Sequence, residues 1–224
     1  MSFGDKKLSE IAVSVPGSTS LLRKYDLDFC CGGSDTLAHA AAEKGLNVAE
    51  IETRLTELQN SKAENPEEYW VNATYPEIID HILVRYHQRH REQLQELIVL
   101  ADRVESVHGD REDCPMGVAA ELRNVYEDLS NHMMKEEHVL FPMIKAGNYM
   151  MAQMPIRMME MEHAEHGEHL DVLKSLTNNM TPPADACNTW RALYSGIQEF
   201  ADDLMMHIHR ENNILFPRVI AENR

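Results

Sequence analysis

The sequence predicts an all-α protein: an up-down four-helix bundle preceded by a small helical domain. Breakers are scarce across 224 residues, with 10 Gly and 9 Pro, and β-branched runs are few. Gly109, Gly147 and the Thr181-Pro182-Pro183 segment divide residues 74–224 into four long stretches joined by short connections, the pattern of a bundle. Those stretches also match one another in pairs.

Residues 1–58 read as short helices. Ser34 can cap a helix through TLAHAAAEK that Gly45 stops, and Asn47 with Glu50 gives a capping-box-like start to AEIETRLTEL. Between these helices and the preceding ones lies the turn Tyr25-Asp-Leu-Asp-Phe-Cys-Cys-Gly-Gly33, which carries adjacent thiols at Cys30 and Cys31. The polar stretch NSKAENPEEYW contains Pro66, so residues 59–73 are expected to be a linker. Thr74 and Pro76 then open the first bundle helix, which should run to about Val107. A second is expected from about Met116 to Ile144. A third should open at Pro155 and reach Thr177, and a fourth should follow Pro183 and end near Pro217.

Composition excludes several functions. A formal net charge of −16 repels phosphate backbones, so no nucleic-acid partner is expected. No apolar run approaches the roughly 18 residues of a membrane span, and the first residues lack the apolar stretch of a secretory signal, so a cytoplasmic protein is expected. Adjacent cysteines disfavour a mutual disulfide, and Cys114 and Cys187 form no framework, so all four read as reduced thiols.

Histidine carries the functional argument. Eleven of 12 histidines follow residue 72. DLSNHMMKEEHVLFP (128–142) aligns without gaps on DLMMHIHRENNILFP (203–217), matching Asp128, His132 and Glu136 to Asp203, His207 and Glu211 at an offset of 75. RYHQRHREQL (85–94) and MEHAEHGEHL (161–170) share H-x-x-H-x-x-x-L at an offset of 76, matching His87 and His90 to His163 and His166. A duplicated helix pair explains both offsets.

Residues four apart share one helix face, so each His-x-x-x-Glu pair projects together. Leu129, Met133 and Leu140 surround one pair in sequence, and Leu204, Ile208 and Leu215 the other. A bare carboxylate on such a stripe would cost several kcal/mol, and a bound cation removes the problem. One histidine from each of the first and third helices and a His-Glu pair from each of the others give four imidazoles and two carboxylates. Six such ligands suit two ions with bridging glutamates, and mixed N/O ligation rich in imidazole favours iron. The charge balance leaves room for an oxo or hydroxo bridge. Within each H-x-x-H either histidine could ligate, and His87 and His163 are the chosen ones. His90 and His166 are then supporting or surface groups, and Asp128 and Asp203 are candidates to orient an imidazole. His138, His169 and His209 read as surface residues, His81 and His108 have no assigned role, and the bundle methionines, among them Met134, Met158 and Met161, read as core filler.

With these motifs the chain resembles the hemerythrin-like superfamily, and within it the di-iron proteins that repair iron–sulfur clusters; RKYDLDFCCGG (23–33) resembles that group's small leading domain. The resemblance implies iron ligands at His87, His132, Glu136, His163, His207 and Glu211, with Glu136 and Glu211 bridging. It also implies a cytosolic, commonly homodimeric protein that repairs clusters damaged by nitric oxide or oxidants. Glu162, beside His163, is a candidate for a polar route to the site. Damaged iron–sulfur proteins are then the macromolecular partners, and nitric oxide or dioxygen the small ligands. Two alternatives stand beside repair by iron donation: a di-iron nitric oxide reductase forming nitrous oxide, and a reversible oxygen or nitric oxide sensor. Cys30 and Cys31 are a candidate thiol site that could contact a cluster, accept iron or pass electrons.

Overall fold

In a computed structural model, residues 2–61 and 63–222 are described, and among them the regular structure is helical, with one isolated β-bridge between Lys7 and Thr36. The chain forms two compact units: residues 1–78 with 206–224, and residues 79–205.

The first unit begins with α1 (Leu8–Ser14) and α2 (Ser18–Lys24). Gly17, at φ +74°, makes the bend between them, a conformation that side chains resist. Ser18 is fully buried, and its hydroxyl donates to Val15 O at 2.7 Å and Ile11 O at 2.9 Å. Next come α3 (Leu37–Glu43) and α4 (Val48–Asn60). Thr36, two residues beyond the expected Ser34, caps α3 by accepting from His39 N at 3.3 Å. Asn47 caps α4 as expected, accepting from Ala49 N at 3.1 Å. Glu50 makes no reciprocal cap; it accepts from the Tyr25 hydroxyl at 2.8 Å instead. Leu8, Ile11, Leu22, Leu27, Phe29, Leu37, Ile51 and Leu55 form the core, each contributing about 1.5–3 kcal/mol by leaving water.

The stretch expected to be a linker carries a further helix, α5 (Pro66–Asn72), capped by Asn65, whose side chain accepts from Glu67 N at 3.2 Å and donates to Val13 O at 2.9 Å. Its polarity reads as a linker, but Glu67 is buried against Arg210, and the Arg210 guanidinium lies 4.8 Å from the Trp70 ring. A linker assignment from polarity misses a charge whose partner is 143 residues away.

The bundle strand of the chain begins with α6 (Tyr75–His81), which passes through a π-helical turn, Ile82–His87, into α7 (Gln88–His108). α8 (Val118–Lys135) leads through a second π turn, Glu136–Leu140, into α9 (Phe141–Lys145). α10 (Tyr149–Leu176) follows, then α11 (Asn188–Arg210), a third π turn, Glu211–Leu215, and α12 (Phe216–Ala221). The third helix starts six residues before Pro155, which lies inside it. Burial of Ala152, Ile156 and Met159 on one face of α10 holds the extra turn against the missing proline donor. The fourth likewise continues through Pro217 to Ala221.

Residues 79–205 pack as a bundle around Leu94, Leu97, Ala101, Leu122, Val125, Leu129, Ile156, Leu173, Leu193, Ile197 and Phe200. Gly196 lets α11 approach α7, since a Cβ there would stand 2.7 Å from Leu97 Cδ2. Not all methionines are filler: Met133 and Met159 are buried, but Met134, Met158 and Met161 are 48%, 51% and 65% exposed.

Candidate metal centre

Two of the three π turns have a cause in the sequence. In each E-x-x-x-L-F-P the proline has no N–H for the carbonyl four residues back, and its ring clashes with that carbonyl. Widening the preceding turn to i→i+5 spacing relieves both, and π turns of this kind concentrate at functional sites. Glu136 and Glu211 are the first residues of these turns, and His87 is the last residue of the remaining one, Ile82–His87.

In the unit 79–205, His87, His132, Glu136 and His163 converge, none more than 1% exposed. The ligand atoms of His132, Glu136 and His163 lie within 4.8 Å of one another. Glu136 Oε2 stands 3.3 Å from His87 Nε2 and 3.4 Å from His132 Nε2, and neither Glu136 oxygen has a hydrogen-bond partner. Beside them His132 Nε2 and His163 Nε2 are 3.1 Å apart. In the other unit His207 Nε2 lies 3.3 Å from Glu211 Oε1, both side chains buried. Each His-Glu pair therefore shares a helix face as its spacing predicts.

Carboxylates behind the cluster fix which nitrogen faces it. His87 Nδ1 lies 2.8 Å from Glu137 Oε1, and His132 Nδ1 lies 2.9 Å from Glu162 Oε2. Each carboxylate takes the Nδ1–H, which leaves Nε2 as a bare lone pair. Arg91 binds Glu137 at 2.7 Å and Lys135 binds Glu162 at 2.5 Å. Hydrogen bonds from His87 and His132, reinforced by these cations, hold the Glu137 and Glu162 carboxyls down at about 2. Both stay ionised across the physiological range.

This arrangement fits a cation. Convergent Nε2 lone pairs and a buried carboxylate without a donor are electron-rich groups that repel one another unless a positive ion lies between them. His132, His163 and Glu136, with His87 on the same carboxylate, supply the nitrogen and oxygen donors that iron takes.

The remaining residues fall variously. Glu162 lies in the site's supporting layer. His166 is buried with its ring edge-on to His132, centroids 4.8 Å apart, while His90 lies between Tyr86 and Phe200. Asp128 and Asp203 are engaged away from the candidate ligand imidazoles: Asp128 contacts His169 Nε2 at 3.0 Å, and Asp203 accepts from Arg85 at 2.6 and 3.0 Å. Spacing alone did not decide their partners: His169 and Arg85 take these carboxylates instead. His209 is not on the surface; it is fully buried between Phe29, Asn213 and Glu67. Sequence reasoning passed over Glu137, whose one signal is its place beside Glu136. Cys30 is buried and Cys31 half-buried, their sulfurs 3.8 Å apart, and Asp28 Oδ1 takes the Cys30 thiol at 3.2 Å. The neighbouring Cys31 thiol, then burial, push the Cys30 thiol well up. None of the four cysteines is in a disulfide.

Comparison with known proteins identifies the family. Residues 78–219 match the hemerythrin HHE cation binding domain, and residues 4–59 match a domain of unknown function, DUF542. A probable iron-sulfur cluster repair protein of Haemophilus influenzae is 67% identical over 99% of this chain and 100% of its own length. The iron-sulfur cluster repair proteins YtfE of Musicola paradisiaca and Citrobacter koseri are 54% and 55% identical, over 98% and 99% of both chains respectively. The chain belongs to the iron–sulfur cluster repair protein YtfE family, as a small helical domain joined to a hemerythrin HHE bundle.

Proposed function

We propose that the protein repairs iron–sulfur clusters damaged by nitric oxide or oxidants, and that it does so from a centre of two iron ions. The observation that carries the reading is the buried Glu136 carboxylate, without a hydrogen-bond donor and faced by imidazole nitrogens whose outer sides are tied to ionised carboxylates. The duplication supplies the second half: His163, His207 and Glu211 are the counterparts of His87, His132 and Glu136. On this reading the six side chains hold the pair, the two glutamates bridge it, and the charge balance admits an oxo or hydroxo bridge.

Bound iron would supply redox equivalents, and could itself be the cargo returned to a damaged cluster. The chain's own residues do the rest. Glu137 and Glu162 keep the His87 and His132 protons on Nδ1, while the apolar wall of Leu129, Met133 and Leu140 excludes water. Glu162, 14% exposed and paired with Lys135, has the polarity and position for a route between site and solvent. Damaged iron–sulfur proteins are the proposed partners. Four cysteines outside any disulfide suit a reducing cytoplasm, and no helix among the described residues is long and apolar enough to cross a membrane.

The test is restoration of a cluster enzyme inactivated by nitric oxide. Iron-loaded protein should restore activity, and Glu136→Leu/Glu211→Leu should not. Metal analysis with Mössbauer spectroscopy should find about two coupled irons per chain in the wild type. Failure of fully loaded protein to restore activity would remove the reading.

A further inference from the structure

Among the positions where the two copies differ is a pair that the metal centre does not explain. After the ligand glutamate, the first copy reads Glu137-His138 and the second reads Asn212-Asn213. Glu137 supports a ligand histidine. The two asparagines face elsewhere. Asn212 Nδ2 donates to Cys30 O at 2.9 Å, and Asn213 Nδ2 donates to Phe29 O at 2.8 Å.

We infer that Asn212 and Asn213 are positioning residues that fasten the Cys30–Cys31 turn to the helical turn bearing Glu211. The contact needs donors, because a carboxylate or a neutral acceptor at either position would meet a carbonyl oxygen. The surroundings are built for the same contact. Asn213 Nδ2 also lies 2.8 Å from His209 Nδ1, so His209 accepts there and presents its Nε2–H toward Glu67 Oε2, 3.4 Å away. The His209 ring meets Phe29 edge-on, with centroids 5.3 Å apart. Gly33 closes the turn against the same side chain, since a Cβ there would stand 2.6 Å from Phe29 O and 3.3 Å from Asn213 Oδ1. From inside the turn, Asp28 accepts from the backbone N–H of Cys30, Cys31 and Gly32 at 2.9–3.0 Å.

One consequence rests on the proposed metal centre. Glu211, Asn212 and Asn213 are consecutive in one π turn. An ion that fixes the Glu211 carboxylate therefore also fixes the two amides, and through them the thiols. By linkage, losing the ion loosens the turn and makes the thiols more reactive.

The test uses full-length, iron-loaded protein and an aromatic disulfide reagent that reports thiolate attack at Cys30 and Cys31, in a background with Cys114→Ser and Cys187→Ser. Chelating the iron from the wild type should speed labelling several-fold. Asn212→Asp/Asn213→Asp keeps side-chain volume and removes both donors; it should label about tenfold faster with iron still bound and gain little on chelation. The single variant Asn213→Asp, with circular dichroism as the folding control, covers a double variant that fails to fold. Wild-type labelling rates in a folded variant would overturn the fastening role. Fast labelling that still responds fully to chelation would overturn the link to Glu211. A protein that binds no iron would sink the proposed function, while labelling of the iron-free variants would still decide the fastening.

Discussion

At the scale of single residues, the chemistry depends on which side of each imidazole carries its proton. Glu137→Gln or Glu162→Gln replaces an ionised acceptor with a neutral amide. His87 or His132 then loses the partner that keeps Nε2 free. Each substitution should weaken iron binding about 10–100-fold, measured by competition with a chelator, while circular dichroism stays unchanged. His169 offers a contrasting titration outside the ligand set. Burial pulls its pKa down, but hydrogen bonds to Glu121 at 2.6 Å and Asp128 at 3.0 Å outweigh that and leave it raised. A raised histidine contributes stability below its unfolded value of about 6.5 and loses it as pH rises through the folded value. His169→Asn should therefore destabilise the protein by up to about 1 kcal/mol at pH 5.5 and by much less at pH 9, read from urea midpoints.

At the scale of elements, Pro142 and Pro217 shape the turns that carry the proposed ligands Glu136 and Glu211. Pro142→Ala restores an N–H to α9 and removes the clash that keeps Glu136–Leu140 wide. The iron-free variant should melt at a temperature equal to or above that of the parent. Iron affinity should fall, because tightening the turn rotates Glu136 relative to the residues after it. A rise in affinity would contradict this. Gly196→Ala acts on packing alone: its Cβ meets Leu97 at 2.7 Å, so a loss of about 1–3 kcal/mol is expected. Legibility divides along similar lines. His132 with Glu136, and His207 with Glu211, are readable because four-residue spacing sets a shared face whatever surrounds it. The helix through Pro155 and the buried state of His209 are not, because both depend on which distant side chains arrive: Ala152 and Ile156 enter the core, and Glu67 approaches His209 from a segment that looks like solvent-exposed linker.

At the scale of the whole molecule, the family boundary at residue 78 and the compact units do not coincide. Residues 206–224, which carry His207 and Glu211, belong with residues 1–78 rather than with 79–205. The contacts behind that grouping are specific. Arg210 is 3% exposed and pairs with buried Glu67, and Arg218 donates to Ala73 O at 2.8 Å while its guanidinium lies over the Tyr75 ring. Removing one partner of a buried ion pair strands the other charge, so Glu67→Gln should cost about 3–5 kcal/mol. The same reasoning applies to truncation. A chain beginning at residue 74 keeps all six proposed ligands and the whole of the matched segment 78–219. It loses Glu67, Trp70 and Phe29, the groups that hold Arg210 and His209 around His207 and Glu211. Iron content per chain should fall with the leading domain's removal even though no ligand is deleted, and hydrogen exchange should rise first in residues 206–221. A truncated chain that retains full iron and native protection there would show that the C-terminal helix orders itself without the N-terminal residues.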